Sequence, residues 1–177
     1  MINSIWYTEF KRKIDAMIGL IIAIILFNFI AFKTNKRLTA NQIVHIWAFT
    51  IALQQLGDLY IDTKYHAYWY FSKDIDGWGE ILTLTVLIPP VNMMFLNWYP
   101  SGEVFYKRIM YIFYWVIAIL LYEVITLLPE PWGYFKYGGW NLWHSAIIDP
   151  LLLLIVLGYY KWICMLENNL LASKKQK

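Results

Sequence analysis

The chain has 177 residues, of which 60% are hydrophobic and 15% charged, with a net charge of +3. A water-soluble domain of this length needs a larger polar surface, so the excess apolar area is expected to face lipid. The positive charge is scattered and forms no basic stripe, which excludes nucleic acid as a partner, and the single Cys164 excludes an intrachain disulfide or a cysteine-based zinc cluster.

In chain order, Lys11-Arg12-Lys13 precedes the first apolar run, residues 14–32, much as a basic stretch opens a signal peptide. The run is nineteen residues long and lacks an Ala-x-Ala-type cleavage site, so it reads as a retained span. Residues 43–61 form a second span, interrupted in its later half by Gln54, Gln55 and Asp58. Residues 81–99 form a third, with Pro89-Pro90 at its middle. Residues 109–128 carry Glu123 as their only charge, and a last span runs over 143–166, starting at Trp143 or at Pro150. At 1.5 Å per residue, about 20 residues cross the roughly 30 Å of bilayer hydrocarbon. The predicted fold class is therefore all-α: a polytopic membrane helix bundle of five transmembrane helices in one domain, 1–177. Four spans with one re-entrant or interfacial segment are the alternative.

Five spans put the N-terminal tail and the 62–80 and 129–142 loops on one side. That side holds Lys11, Arg12, Lys13, Lys64, Lys73 and Lys136. The other holds Lys33, Lys36, Arg37, Lys107, Arg108, Lys174, Lys175 and Lys177. Cytoplasmic loops carry the excess of Lys and Arg, which favours an outside N-terminus and a cytoplasmic C-terminus.

Under this topology Asp15, Asp58, Glu123 and Asp149 all fall in the outer half of the bilayer. An ionisable group at membrane depth costs several kcal/mol unless paired. Asp15 sits near a helix start, where the helix dipole suits it. Asp149 either caps a helix starting at Pro150 or lies about 9 Å inside one starting at Trp143. Asp58 and Glu123 have no such local explanation. His144, Gln54, Gln55 and Asn141 join them, giving a candidate ligand-binding pocket of Asp58, Glu123, His144, Asn141, Trp140, Asp149 and Gln54. Interfacial caps and interhelical hydrogen bonds are the competing account of the same residues.

Pro89 and Pro90 lack N–H groups and free the carbonyls of Thr85 and Val86, which then need partners from neighbouring helices, the Thr83 or Thr85 hydroxyls, or water. The result is either a broken helix lining a cavity or a packing kink. The aromatic groups Tyr65, Tyr68, Trp69, Tyr70, Phe71, Trp78 and Trp132, Tyr134, Phe135, Tyr137, Trp140, Trp143 read as an interfacial belt, or as a cage above the carboxylates. His45, His66 and His144 lack the spacing of a metal or haem site. No Ser-x-x-Lys, Gly-x-Ser-x-Gly, His-Glu-x-x-His or P-loop motif occurs, so neither a catalytic residue, a metal site nor a cofactor follows from the sequence.

The segment Tyr137-Gly138-Gly139-Trp140-Asn141-Leu142-Trp143-His144-Ser145 resembles a family of small, uncharacterised integral membrane proteins of spore-forming bacilli and clostridia. Leu56-Gly57-Asp58-Leu59, Phe95-Leu96 with Tyr99-Pro100, and Tyr122-Glu123 fit the same pattern, over roughly residues 45–160. The resemblance implies a bacterial membrane protein and places Asp58, Glu123, Trp140, Asn141 and Ser145 on matching positions; Asp149-Pro150 is not matched. The expected function is binding or passage of a small ligand or cation through an outward-facing polar pocket of a cell-membrane protein. A non-catalytic subunit or scaffold of a larger membrane assembly is the alternative, with homo- or hetero-oligomeric partners. A lipid-acting enzyme comes third and requires a His144–carboxylate pair within hydrogen-bond reach. Membrane lipid is a partner in each case.

Overall fold

The structure, a computed structural model, describes residues 2–58, 60–61, 64–71, 77–129 and 131–175; for residues 2–16, 58, 77, 78 and 175 it describes the backbone alone. The apolar run at 14–32 lies in a longer helix, α1 (Ile2–Thr34), which ends where Asn35 closes a turn. Asn35 Nδ2 donates to the Leu38 carbonyl and Leu38 N–H donates to Asn35 Oδ1, both at 3.0 Å. Thr39 then opens α2 (Ala40–Asp58) with a capping box. Gln42 N–H donates to Thr39 Oγ1 and Thr39 N–H to Gln42 Oε1, both at 3.2 Å. This box starts the second helix three residues before the predicted span.

The third traverse is one helical rod in three parts: α3 (Gly77–Leu82), a π-helical turn (Thr83–Leu87) and α4 (Ile88–Trp98). The π turn sits just before Pro89-Pro90, where two consecutive residues cannot donate to the ladder. The two freed carbonyls are taken by other helices. Trp47 Nε1–H of α2 donates to the Thr85 carbonyl at 2.8 Å, and Asn28 Nδ2–H of α1 donates to the Val86 carbonyl at 3.0 Å. The Thr83 and Thr85 hydroxyls bond instead to the Gly79 and Ile81 carbonyls of their own helix.

The chain continues through α5 (Phe105–Thr126) and α6 (Leu142–Lys175). At 34 residues α6 is about 51 Å long, well beyond a bilayer core. Pro150 lies inside this helix, so the helix starts before Asp149-Pro150, and Asp149 is not its cap.

α4 is the centre of the molecule. It packs against α1, α2 and α6, and Met93, Phe95 and Leu96 are fully buried. The rod from Gly79 to Trp98 is mostly buried, whereas in α5 only Val116 and Thr126 are. The outer helices present Ile22, Ile25 and Phe29 of α1, Phe105, Phe113 and Leu121 of α5, and Ile147 and Leu151 of α6 outward. Exposed apolar surface on this scale suits lipid and not water. Among the described residues, four segments are long and apolar enough to cross a membrane: 17–34, 79–98, 105–126 and 142–174. α2 falls short of that composition, yet it runs the bundle antiparallel to α4 and α6. Its start meets the C-terminal part of α6 through Gln42 and Glu167, and its middle meets α4 through a hydrogen bond from Asn92 Nδ2 to Thr50 Oγ1 at 3.0 Å. The fold is thus an all-α bundle of five traversing segments, four of them strongly apolar.

At one end a two-stranded antiparallel ribbon joins the loops that the topology put on the same side. β1 (Tyr68–Tyr70) pairs with β2 (Phe135–Tyr137), with Trp69 opposite Lys136. The Ala67 carbonyl accepts both Gly138 N–H and Trp140 N–H at 2.8 Å. Gly133 makes the approach of this loop to α5 possible, because a Cβ there would collide with the Leu128 carbonyl. Gly19 does the same on α1, whose backbone lies against the Pro131 and Trp132 backbone.

Candidate functional site

Below the ribbon lies a cavity of about 350 Å³ between all five traverses. Its wall is mostly apolar, from Phe27 of α1, Leu53 of α2, Ile88 and Val91 of α4, Ile119 of α5 and Leu152 and Val156 of α6. The ribbon side contributes Tyr68, Tyr70, Tyr134, Phe135 and Trp140. Along α6 the lining reaches from Ser145 to Val156, eleven residues or about 16 Å of depth.

Four of the sequence-predicted residues, Gln54, Glu123, Trp140 and Asp149, lie on this wall. Glu123 is three residues before the end of α5 and accepts two hydrogen bonds on the same oxygen, Oε1. Tyr137 Oη–H donates at 2.6 Å and Ser145 Oγ–H at 2.7 Å. Trp140 Nε1–H in turn donates to Ser145 Oγ at 2.8 Å. Indole, hydroxyl and carboxylate thus form a chain that ties the loop, α6 and α5 together. Every donor in it is neutral. Burial, and then the Glu123 carboxylate that accepts its proton, push the Tyr137 hydroxyl well above the usual tyrosine value, and the Asp149 charge adds to the effect. Tyr137 therefore stays a proton donor across the physiological range.

Asp149 is different. It projects from α6 one turn deeper than Ser145, and its Oδ2 is buried without a hydrogen-bond partner among the described residues. A buried carboxylate oxygen lacking a partner is rare because its desolvation is uncompensated. None of the wall residues is Lys, Arg or His. Among the described residues, the cavity wall thus holds two carboxyl groups and no counter-charge.

Asn141 and His144 stand outside the wall, at the start of α6. Asn141 Oδ1 accepts Trp143 N–H at 3.1 Å and His144 N–H at 3.3 Å, while His144 Nδ1 accepts Asn141 N–H at 3.2 Å. This reciprocal pair is a helix cap in which an imidazole takes the usual place of Glu or Gln. His144 Nδ1 is therefore engaged with backbone and not with Glu123 or Asp149, so the pairing required for a lipid-acting enzyme is not made among the described residues. The side chains of Asp15 and Asp58 lie outside the described residues; the backbone puts both at the ribbon end of the bundle.

The aromatic residues divide into two groups. Tyr65, Trp132 and Trp143 are exposed, with Trp143 at 78%. Tyr68 and Tyr134 are buried, and Tyr134 Oη bonds Tyr122 Oη at 2.8 Å. Burial, then the neighbouring Tyr122, raises the Tyr134 hydroxyl above its ordinary value. The first group suits an interface and the second walls the cavity. Ser145 on the wall and Tyr137 beside it, the two donors to Glu123, were not singled out by spacing alone; the Tyr68–x–Tyr70 alternation was the available strand signal.

Among the described residues no three His, Cys, Asp or Glu side chains gather in a metal-binding group. Comparison with protein-family models, with curated proteins and with solved structures finds no match for the chain.

Proposed function

We propose that the chain is a bacterial cell-membrane protein that binds or passes a small organic cation in this cavity, the ammonium group seated by Asp149 and Glu123 and the apolar body held by the aromatic and aliphatic wall. The observation that carries the reading is the buried Asp149 Oδ2, without a hydrogen-bond partner among the described residues, on a wall whose described residues include a second carboxylate and no basic residue. A protonated amine supplies the missing donor and charge, and aromatic faces stabilise it further. The bacterial origin rests on the family resemblance of the 137–145 segment, and an outside N-terminus rests on the Lys and Arg bias, which would open the ribbon end outward.

The test is titration of the purified full chain in lipid nanodiscs with aliphatic and aromatic amines, followed by intrinsic Trp fluorescence. Saturable binding of amines that D149N weakens by about tenfold or more supports the reading. Equal affinity for an amine and its uncharged isostere, or no effect of D149N, overturns it.

The subunit reading has one observation of its own. Tyr114 stands at the middle of α5, is 61% exposed, and its hydroxyl has no hydrogen bond among the described residues. A lone hydroxyl at mid-membrane depth favours a polar partner on another helix. Cross-linking through a cysteine at position 114 would capture a second copy or a partner subunit; its failure in native membranes leaves lipid as the neighbour of α5.

A further inference from the structure

At the end of the bundle opposite the ribbon, two guanidinium groups meet on one residue. Arg37, in the turn between α1 and α2, donates Nη1–H to the Tyr99 carbonyl at 2.5 Å and Nη2–H to Ser101 Oγ at 2.8 Å. Arg108, in the first turns of α5, donates Nη2–H to the Ser101 carbonyl at 2.7 Å. Its Nε–H is buried with no acceptor among the described residues.

The arrangement is held from below. Asn97 Oδ1 accepts the N–H groups of Lys36 and Arg37 at 3.0 and 3.2 Å, and Asn97 Nδ2 donates to the Thr34 carbonyl at 2.9 Å. The turn that carries Arg37 is thereby fixed to the end of α4. The nearest carboxylate in sequence, Glu103, is paired with Lys107 at 2.8 Å on the surface. Glu167, on α6 at the same end, is bonded by Asn41 and Gln42. Neither carboxylate forms an ion pair with Arg37 or Arg108. Two like charges anchored to one serine repel, and an anion between them removes that repulsion.

We infer that Arg37 and Arg108 form a seat for the phosphate of an anionic phospholipid headgroup. The planar guanidinium matches phosphate through paired N–H donors, and of its five N–H groups Arg37 uses two and Arg108 one on acceptors among the described residues. The positive end of the α5 dipole lies beside it. Lipid is favoured over free phosphate because exposed Trp98, Phe105 and Ile109 flank the site and offer apolar surface to acyl chains. This end also carries the larger share of Lys and Arg, as cytoplasmic faces do, and anionic lipids concentrate in that leaflet.

The experiment is thermal unfolding of the full chain in detergent with added phosphatidylglycerol, phosphatidylcholine or millimolar inorganic phosphate, for wild type, R37Q, R108Q and K107Q. Each variant is referred to its own midpoint in phosphatidylcholine, so a change in intrinsic stability drops out. The expected result is a rise of about 5 °C with phosphatidylglycerol in wild type and K107Q, cut by at least half in R37Q and R108Q. An equal rise with inorganic phosphate assigns the site to a free anion and overturns the lipid. A rise retained in both arginine variants, or lost equally in K107Q, overturns the two-arginine seat in favour of diffuse charge attraction.

Discussion

The indole of Trp47 donates to the Thr85 carbonyl at 2.8 Å, filling the position in the third traverse that Pro89 leaves open. With Asn28 on the Val86 carbonyl, it lets a helix with two adjacent prolines run at the centre of a membrane bundle. A carbonyl at membrane depth has no water to bond, so each needs a side-chain donor.

Replacing Trp47 by Phe keeps most of the ring, including its stack on Phe32, and removes only the donor. The expected cost is about 1 kcal/mol, in line with interhelical hydrogen bonds in membranes and with the penalty for an orphaned carbonyl. It is read as a lowered unfolding midpoint in detergent. An unchanged midpoint would mean that the π turn satisfies Thr85 by itself.

Asp149→Asn is expected to leave the fold as stable as wild type, or more so, while it weakens cation binding by about tenfold or more. The carboxylate is buried, partnerless and close to a second negative group, so its charge opposes folding. Stability and binding would then move in opposite directions. A midpoint that falls along with the affinity would show that Asp149 holds the bundle together.

Glu123 behaves otherwise, because it is the acceptor at the end of a hydrogen-bond chain. Glu123→Ala strands the Tyr137 and Ser145 hydroxyls and loosens the join between α5, α6 and the ribbon. A loss of about 2 kcal/mol is expected, with Glu123→Gln recovering at least half through its carbonyl oxygen. Proteolysis in the 127–141 loop should accelerate in the alanine variant first.

Asn141→Ala removes the side chain that caps α6 and is expected to cost about 1 kcal/mol. His144→Ala removes only the returning bond and should cost less. Amine affinity should change in neither, since both side chains stand off the cavity wall. A large loss of affinity in H144A would return the imidazole to the site.

Much of this arrangement is legible in the amino-acid sequence. The apolar runs marked the traverses, and the two prolines named the exact carbonyls that would need donors, because proline's defect is local and fixed in register. Gln54, Glu123 and Asp149 were legible as a group for a similar reason: depth along a helix follows from counting residues. What counting does not give is azimuth. Asn141 and His144 lie at the same level as Glu123, yet the first turn of α6 directs them to its own backbone. Asp149-Pro150 carried the local pattern of a helix start, and the start moved to Leu142 because a better cap, Asn141 with His144, lies upstream. The ribbon was hidden because its pairing spans more than sixty residues of chain, and its tyrosines have the same composition as an interfacial belt.

The two donors that serve the proline-bearing helix both lie upstream of it in the chain, at positions 28 and 47. During synthesis the first and second hydrophobic segments reach the translocation machinery before the third. The segment with unsatisfied carbonyls is therefore the last of the three to meet lipid, and its ligands are waiting. Chain order doubles as assembly order. Moving the 79–98 segment ahead of residues 1–58 in a permuted gene should lower its insertion efficiency in a glycosylation-reporter assay, although its own hydrophobicity is unaltered.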